Sequence, residues 1–277
     1  MAKSQGIIGN FKGKVGNMVG YQLTDSNNKQ TQGIRIYQPN VKNPKTSAQA
    51  EQRAKLAPIN ATYRALKMII DRGNEGLPYG NKSRLAWLKQ AFKAENMPWF
   101  EKGASISQPV LCQVTKGSLA HIFTPLNDDE IIKLPVKGIV GTETTVGAVA
   151  TAILASYSSL QAGDQLTAVT IDAQGGTLVP HITSIVLDPL STSALPADVA
   201  VEEMKVTFPG VENTAICGCL IVSREGANGE HLRSTESLIK MAGYDPDVYG
   251  NDSKTAAIES YMASGAANTD WAEESIQ

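Results

Sequence analysis

The chain has 277 residues, 42% apolar and 19% charged, with a formal net charge of −2, so it is long enough to bury a core in one or two globular domains. It holds no apolar run of the roughly 18 residues that a membrane-spanning helix needs, and its N-terminus, MAKSQGIIGNFKG, lacks the apolar centre of a signal peptide. Cys112, Cys217 and Cys219 are odd in number and badly spaced for a disulfide framework, which points to a reducing compartment, a cytosol or an assembly built there.

The small net charge hides a division. Residues 1–102 carry 17 Lys+Arg and 6 Asp+Glu, a net +11, whereas the remaining 175 carry 8 and 21, a net −13. Two such halves attract one another, within a molecule or between neighbouring copies, and each repels its own kind.

The first element is the run GIIGNFKGKVGNMVGYQL, with Gly6, Gly9, Gly13, Gly16 and Gly20 and a Gly13-Lys14 pair. It fails as a phosphate loop. The spacing is one residue short, Val15 stands where a hydroxyl would hold magnesium, and a strand pattern follows where a helix N-terminus is required. No dinucleotide fingerprint occurs either. NMVGYQLT (17–24) and TQGIRIYQ (31–38) alternate like two strands, joined by the polar DSNNKQ as a hairpin. Pro39 ends the second strand, and Asn43-Pro44 keeps the chain extended.

From Ser47 to Ile70 the period becomes helical, with Leu56, Ile59, Tyr63, Leu66 and Ile70 as the apolar stripe and Thr46 or Ser47 as N-cap. Pro58 must kink or divide this helix. Arg53, Arg64 and Lys67 fall in one sector beside the stripe, where they line a groove or cover the core edge with their stems. RGNEGLPYGN (72–81) breaks the helix. A second one runs from an Asn81 cap through Lys93, with Leu85, Leu88 and Phe92 as its stripe and Trp87 beside them.

Past Gly103 the texture is acidic and β-rich. Strands are expected at 110–117, 165–172, 177–188, 204–208 and 214–225, a helix within 144–160, a short helix at 253–263 and a loose acidic tail after it. Chemistry is hard to find in this part. Cys217-Gly218-Cys219 places two thiols on one strand face, but no second pair or histidine cluster lies near them in sequence, which favours buried structural cysteines. His121, His181 and His231 are far apart and accompany no nucleophile motif, and Asp128-Asp129-Glu130 reads as a solvated loop. No catalytic, metal or cofactor site is expected.

Two stretches are more specific than composition. FKGKVGNMVGYQL, followed by IRIYQPNVKNPKTSAQAEQRAKL, resembles a family of uncharacterised proteins from Bacteroidetes and their bacteriophages. That family opens with G-K-V/I-G-N-x-V-G-Y, an aromatic strand and N-P-x-T-x-A-Q-x-x-Q-R. The match runs over Gly13, Lys14, Val15, Gly16, Asn17, Val19, Gly20 and Tyr21, and again over Asn43, Pro44, Thr46, Ala48, Gln49, Gln52 and Arg53. Ser47 departs from the family's frequent Pro, and the last 40 residues look like an addition. Proteins of this kind in the crAss-like phages resemble ring proteins stacked below the portal, in the tail or neck. The resemblance implies a structural virion subunit, assembled in the host cytoplasm, with no catalytic residue to transfer.

The expectation is therefore an α+β subunit: a β-hairpin arm (1–45), a basic helical hairpin (46–102), an acidic β-sandwich-like (Ig-like) domain (103–250) and a C-terminal helix and tail (251–277). A two-stranded arm is marginal alone, so packing on a neighbour would stabilise it, and a closed ring joins one surface to a different one on the next copy. The interface candidates are Lys12, Lys14, Gly16, Gly20, Tyr21, Arg35, Tyr37, Lys42, Lys45, Arg53, Arg64 and Lys67. The partners expected are further copies of the chain in a ring and other tail, neck or portal proteins, with contact to packaged DNA possible through the same basic surface. The rival readings are a DNA-binding module in the basic third and a virion adhesion protein.

Overall fold

The computed structural model describes residues 13–24, 30–37, 46–122, 132–208, 215–226 and 229–263. The DSNNKQ connection apart from its last residue, Pro39, Asn43-Pro44, the Asp128-Asp129-Glu130 loop, the acidic tail, Lys12, Lys42 and Lys45 lie outside these residues. The chain is an α+β protein in two compact units, Met1–Pro44 and Lys45–Gln277.

The first unit is a three-stranded antiparallel sheet, β1 (Gly13–Val15), β2 (Met18–Thr24) and β3 (Gln30–Ile36), in that spatial order. The sequence pattern predicted the last two; β1, too short to show a period, doubles back on β2. Gly16-Asn17 make that turn possible, because Gly16 has φ +58° and Asn17 does not share the positive φ, the arrangement of a turn with glycine first.

The second unit begins with α1 (Ser47–Ala65), capped by the Thr46 side chain, which accepts from the Gln49 N–H at 3.3 Å. Pro58 neither divides nor ends it. The break comes at Leu66, after which α2 (Lys67–Ile70) makes a single turn. The face that α1 buries is Ala50, Ala54, Pro58, Ile59, Thr62 and then Leu66, whereas Leu56 of the expected stripe is 42% exposed. Helix α3 (Asn81–Ala91) corrects the expectation in the same way. Its cap is Gly80, at φ +83°, and not Asn81; Ser83, Trp87 and Ala91 face inward while Leu85 lies 48% exposed. An i, i+4, i+8 row with one large aromatic outweighs a scatter of leucines.

The β-rich part holds β4 (Gln113–Thr115), β5 (Ile132–Val140), α4 (Val146–Ser156), β6 (Gln165–Gln174), β7 (Thr177–Val186), β8 (Ala200–Phe208), β9 (Cys217–Glu225), β10 (His231–Arg233), β11 (Glu236–Ser237) and β12 (Ile239–Lys240). The strand expected over 110–117 is only β4. A short 3-10 turn (Pro246–Tyr249) and α5 (Asn251–Ala263) follow. The largest sheet has the order β10-β9-β6-β7, all antiparallel, with β12 pairing with the other end of β9; β5 pairs with β8, and β4 with β11.

Alternation along β6 and β9 divides two cores. Val169, Ile171, Cys217, Cys219 and Ile221 face α1 and α3, packing with Ala54, Ile59, Leu66 and Trp87. Leu166, Ala168, Leu220 and Val222 face the other way and pack with Ile132, Leu134, Val206 and Phe208 of β5 and β8 and with Val149 and Ile153 of α4. The basic helical hairpin is therefore one wall of a core shared with the sheet. The ammonium groups of Lys55 and Lys254 lie 5.7 and 5.2 Å from the Trp99 ring centroid, and both lysines pair with Glu51, which ties α5 to α1.

Candidate functional site: an assembly surface

Residues directly opposite in an antiparallel ladder share a face, so the register of the first unit sorts its side chains. Val15, Met18 and Ile36 form one row, and Gly13, Gly20 and Ile34 the next row on that same face. Val15 is 59% exposed, Met18 40% and Ile36 74%. Gly13 and Gly20 add no side chains to that next row.

The opposite face carries Lys14, Val19 and Arg35 in one row and Tyr21 and Gly33 in another. Tyr21 lies across Gly33: a Cβ there would meet the tyrosine ring at 2.5 Å, so only glycine fits beneath it. Lys14 Nζ sits 3.6 Å from the centroid of the Tyr37 ring, and the Tyr37 N–H donates to the Asn17 carbonyl at 2.7 Å, extending the ladder past β3. This face is cationic and aromatic. Register thus brings together Lys14, Tyr21, Arg35 and Tyr37 of the expected residues, puts Gly20 on the reverse face and gives Gly16 to the turn.

In the second unit, Arg53, Arg64 and Lys67 do not converge. Arg53 and Arg64 are exposed on α1, and Arg53 borders a shallow groove of about 340 Å³ with Leu56, Lys102 and Tyr261. Lys67 lies past the Leu66 break and pairs with Asp71, which also accepts from the Tyr63 hydroxyl at 2.8 Å. The row Val15, Met18 and Ile36 escaped the sequence reading, because Val15 precedes both expected strands and no local period links it to Met18 and Ile36.

The three thiols and two of the three histidines are buried or paired with buried carboxylates. All three thiols are free and buried, and burial pushes Cys112 up to about 12 and also raises Cys217 and Cys219. His121 Nδ1 lies 2.7 Å from the buried Glu236, whose carboxyl burial pushes up, and His181 Nε2 lies 3.1 Å from the buried Asp172. Among the described residues no group of three or more His, Cys, Asp or Glu is placed to hold a metal. No helix of the described residues is long and apolar enough to cross a membrane. Compared with protein-family models, curated proteins and solved structures, the chain matches none of them.

Proposed function

We propose that the protein is a structural subunit that assembles head-to-tail with copies of itself, as a repeated component of a bacteriophage tail or neck ring below the portal. The observation that carries this reading is the exposed apolar row Val15, Met18 and Ile36 on a three-stranded sheet with too few residues to enclose a core. The occupant we assign to that face is a second copy of this chain. Charge supports the choice: the first 102 residues carry +11 and the rest −13, so one copy's basic end meets the next copy's acidic body without a like-charge clash. A head-to-tail contact of this kind is heterologous, the type that closes into rings. The N-terminal motif's resemblance to phage ring proteins supports the virion setting. In this reading the largest sheet and the β5–β8 pair, which share a core with α4, act as a sandwich-like body, and the first unit is the arm.

A second reading has its own support. Lys14, Arg35, Tyr21 and Tyr37 share one face, the combination of cations and rings that tracks a nucleic-acid backbone. It requires binding of the full chain to DNA that falls steeply as salt rises.

Sedimentation of the full chain and of a V15S/M18S/I36S variant tests the first reading. The natural chain is expected to sediment as one larger species and the variant as a monomer with an unchanged unfolding curve. A variant that assembles like the natural chain would overturn the assignment of this face.

A further inference from the structure

Along β9 the face that packs on the helices reads Cys217, Cys219, Ile221, Ser223, Glu225, so apolar residues give way to polar ones at one end of the sheet. There Val186, Gln165, Ser223 and Arg233 stand directly opposite one another across β7, β6, β9 and β10, and His231 stands opposite Glu225. The connection between α2 and α3 adds Arg72 and Tyr79 from the side. Together these residues enclose a cavity of about 430 Å³.

Three guanidinium groups line it, in two different states. Arg224 is committed: Nε and Nη2 donate to both oxygens of the buried Asp164 at 2.6 and 2.7 Å, and Nη2 also donates to the Ser159 carbonyl at 3.1 Å. Arg72 and Arg233 pair with no carboxylate among the described residues. Arg233 is only partly exposed, and Arg72 stacks on Tyr79 with its guanidinium carbon 5.6 Å from the ring centroid. Burial lowers the pKa of Arg233, the neighbouring Tyr79 opposes that, and the charge of Arg72 adds to it. Tyr79 and His231 pack ring to ring at 5.6 Å, forming one wall. Arg72 is exposed and Arg233 partly buried, and two like charges on the wall of one cavity repel unless something neutralises them.

We propose that this cavity binds a phosphate-class oxyanion between the guanidinium groups of Arg72 and Arg233, with the Tyr79 and His231 rings beside it. A doubly charged group with at least three acceptor oxygens can accept from both guanidinium forks at once, which a single carboxylate cannot do as fully. Glu225, exposed at the rim opposite His231, opposes the anion and sets its approach from the Arg72 side. The site is in the second unit and does not depend on the assembly reading.

The test uses the full chain with inorganic phosphate as probe, followed by calorimetric titration and by the shift of the thermal midpoint. Sodium chloride and sodium acetate at matched ionic strength serve as comparators. Phosphate is expected to bind and to raise the midpoint more than either comparator. R233Q and R72Q each lose about tenfold or more in affinity, the consequence of removing one charge-assisted contact. E225Q binds more tightly, and K89Q, the same charge change at an exposed position of α3, leaves binding unaltered. R72Q removes an exposed side chain, so it keeps the test decisive even where R233Q does not fold. A phosphate response equalled by chloride or acetate, or unchanged in R72Q, overturns the proposal, as does no phosphate binding by the natural chain.

Discussion

Thr62 offers the sharpest test of whether the helical segment and the sheet are one folding unit. It is fully buried, its Oγ1 donates to the Pro58 carbonyl at 2.9 Å, and the same oxygen accepts the Val110 N–H at 2.9 Å. Val110 is itself fully buried, so no water can replace that acceptor. Thr62→Val keeps the volume and removes the oxygen. One lost bond and one stranded N–H together cost about 2–4 kcal/mol, from about 1 kcal/mol for the bond and 1–3 kcal/mol for a buried unsatisfied donor. For a unit of this size that is a fall in thermal midpoint of about 4–16 °C. Thr62→Ser keeps the hydroxyl and gives up one methyl, at about 1 kcal/mol. Urea unfolding should be followed both by far-ultraviolet circular dichroism and by tryptophan fluorescence, since Trp87 and Trp99 sit in the core shared by helices and sheet. Both signals should move together in the valine variant and by less in the serine variant. Wild-type stability for Thr62→Val, or a helical transition separate from the fluorescence one, would refute the reasoning.

Three further outcomes follow from single residues. Burial disfavours the charged form of Glu75, but hydrogen bonds from the Ser118 N–H and hydroxyl and from the Arg233 N–H outweigh it and hold its carboxyl below the ordinary 4.5. Its contribution is therefore present above pH 4.5 and lost as pH falls through the lower folded value. Glu75→Gln should cost about 1 kcal/mol at pH 7 and flatten the acid limb of the stability curve, checked by urea midpoints across pH; an unaltered acid limb contradicts this. Gly16→Val forces a β-branched residue to φ +58°, at a cost of about 1–2 kcal/mol, so amide exchange at Tyr37 should quicken while the second unit keeps its protection. The three buried thiols should resist a thiol reagent at pH 8 in the folded protein and all react in urea; rapid labelling of the native chain would show that the cysteines are exposed.

Much of the fold was legible because long elements carry their own period. The strands at 165–174, 177–186 and 217–225 and the helix at 47–65 depend on local alternation or spacing, and those signals are strong. What was hidden depends on partners distant in sequence. Strand β5 contains Pro135 and Gly138, both of which read as breakers, and it forms because β8 and α4 cover its apolar side. Strands β10 to β12 are two or three residues long and exist only as partners of β9 and β4. Pro58 was expected to kink or divide α1; the helix is not divided there, Thr62 bonds its carbonyl, and the break comes about two turns later at Leu66. Of the surface candidates, Lys14 and Tyr37 meet each other within the sheet, a cation over a ring, whereas sequence alone offers both to a neighbouring copy. The apolar row on the reverse face was missed, since a single exposed valine or isoleucine in sequence is unremarkable until register lines up three. The Arg72–Arg233 cavity was illegible for the same reason: β10 comes beside the α2–α3 connection only once the sheet is built.

The central claim is self-assembly through the first unit, and the mass of the intact natural chain under native conditions addresses it most directly. Native mass spectrometry across a concentration series should give one discrete multiple of 29.5 kDa that dissociates as salt rises, the behaviour of a closed ring joined partly by opposite charges. A single species of 29.5 kDa at every concentration and salt would contradict the account.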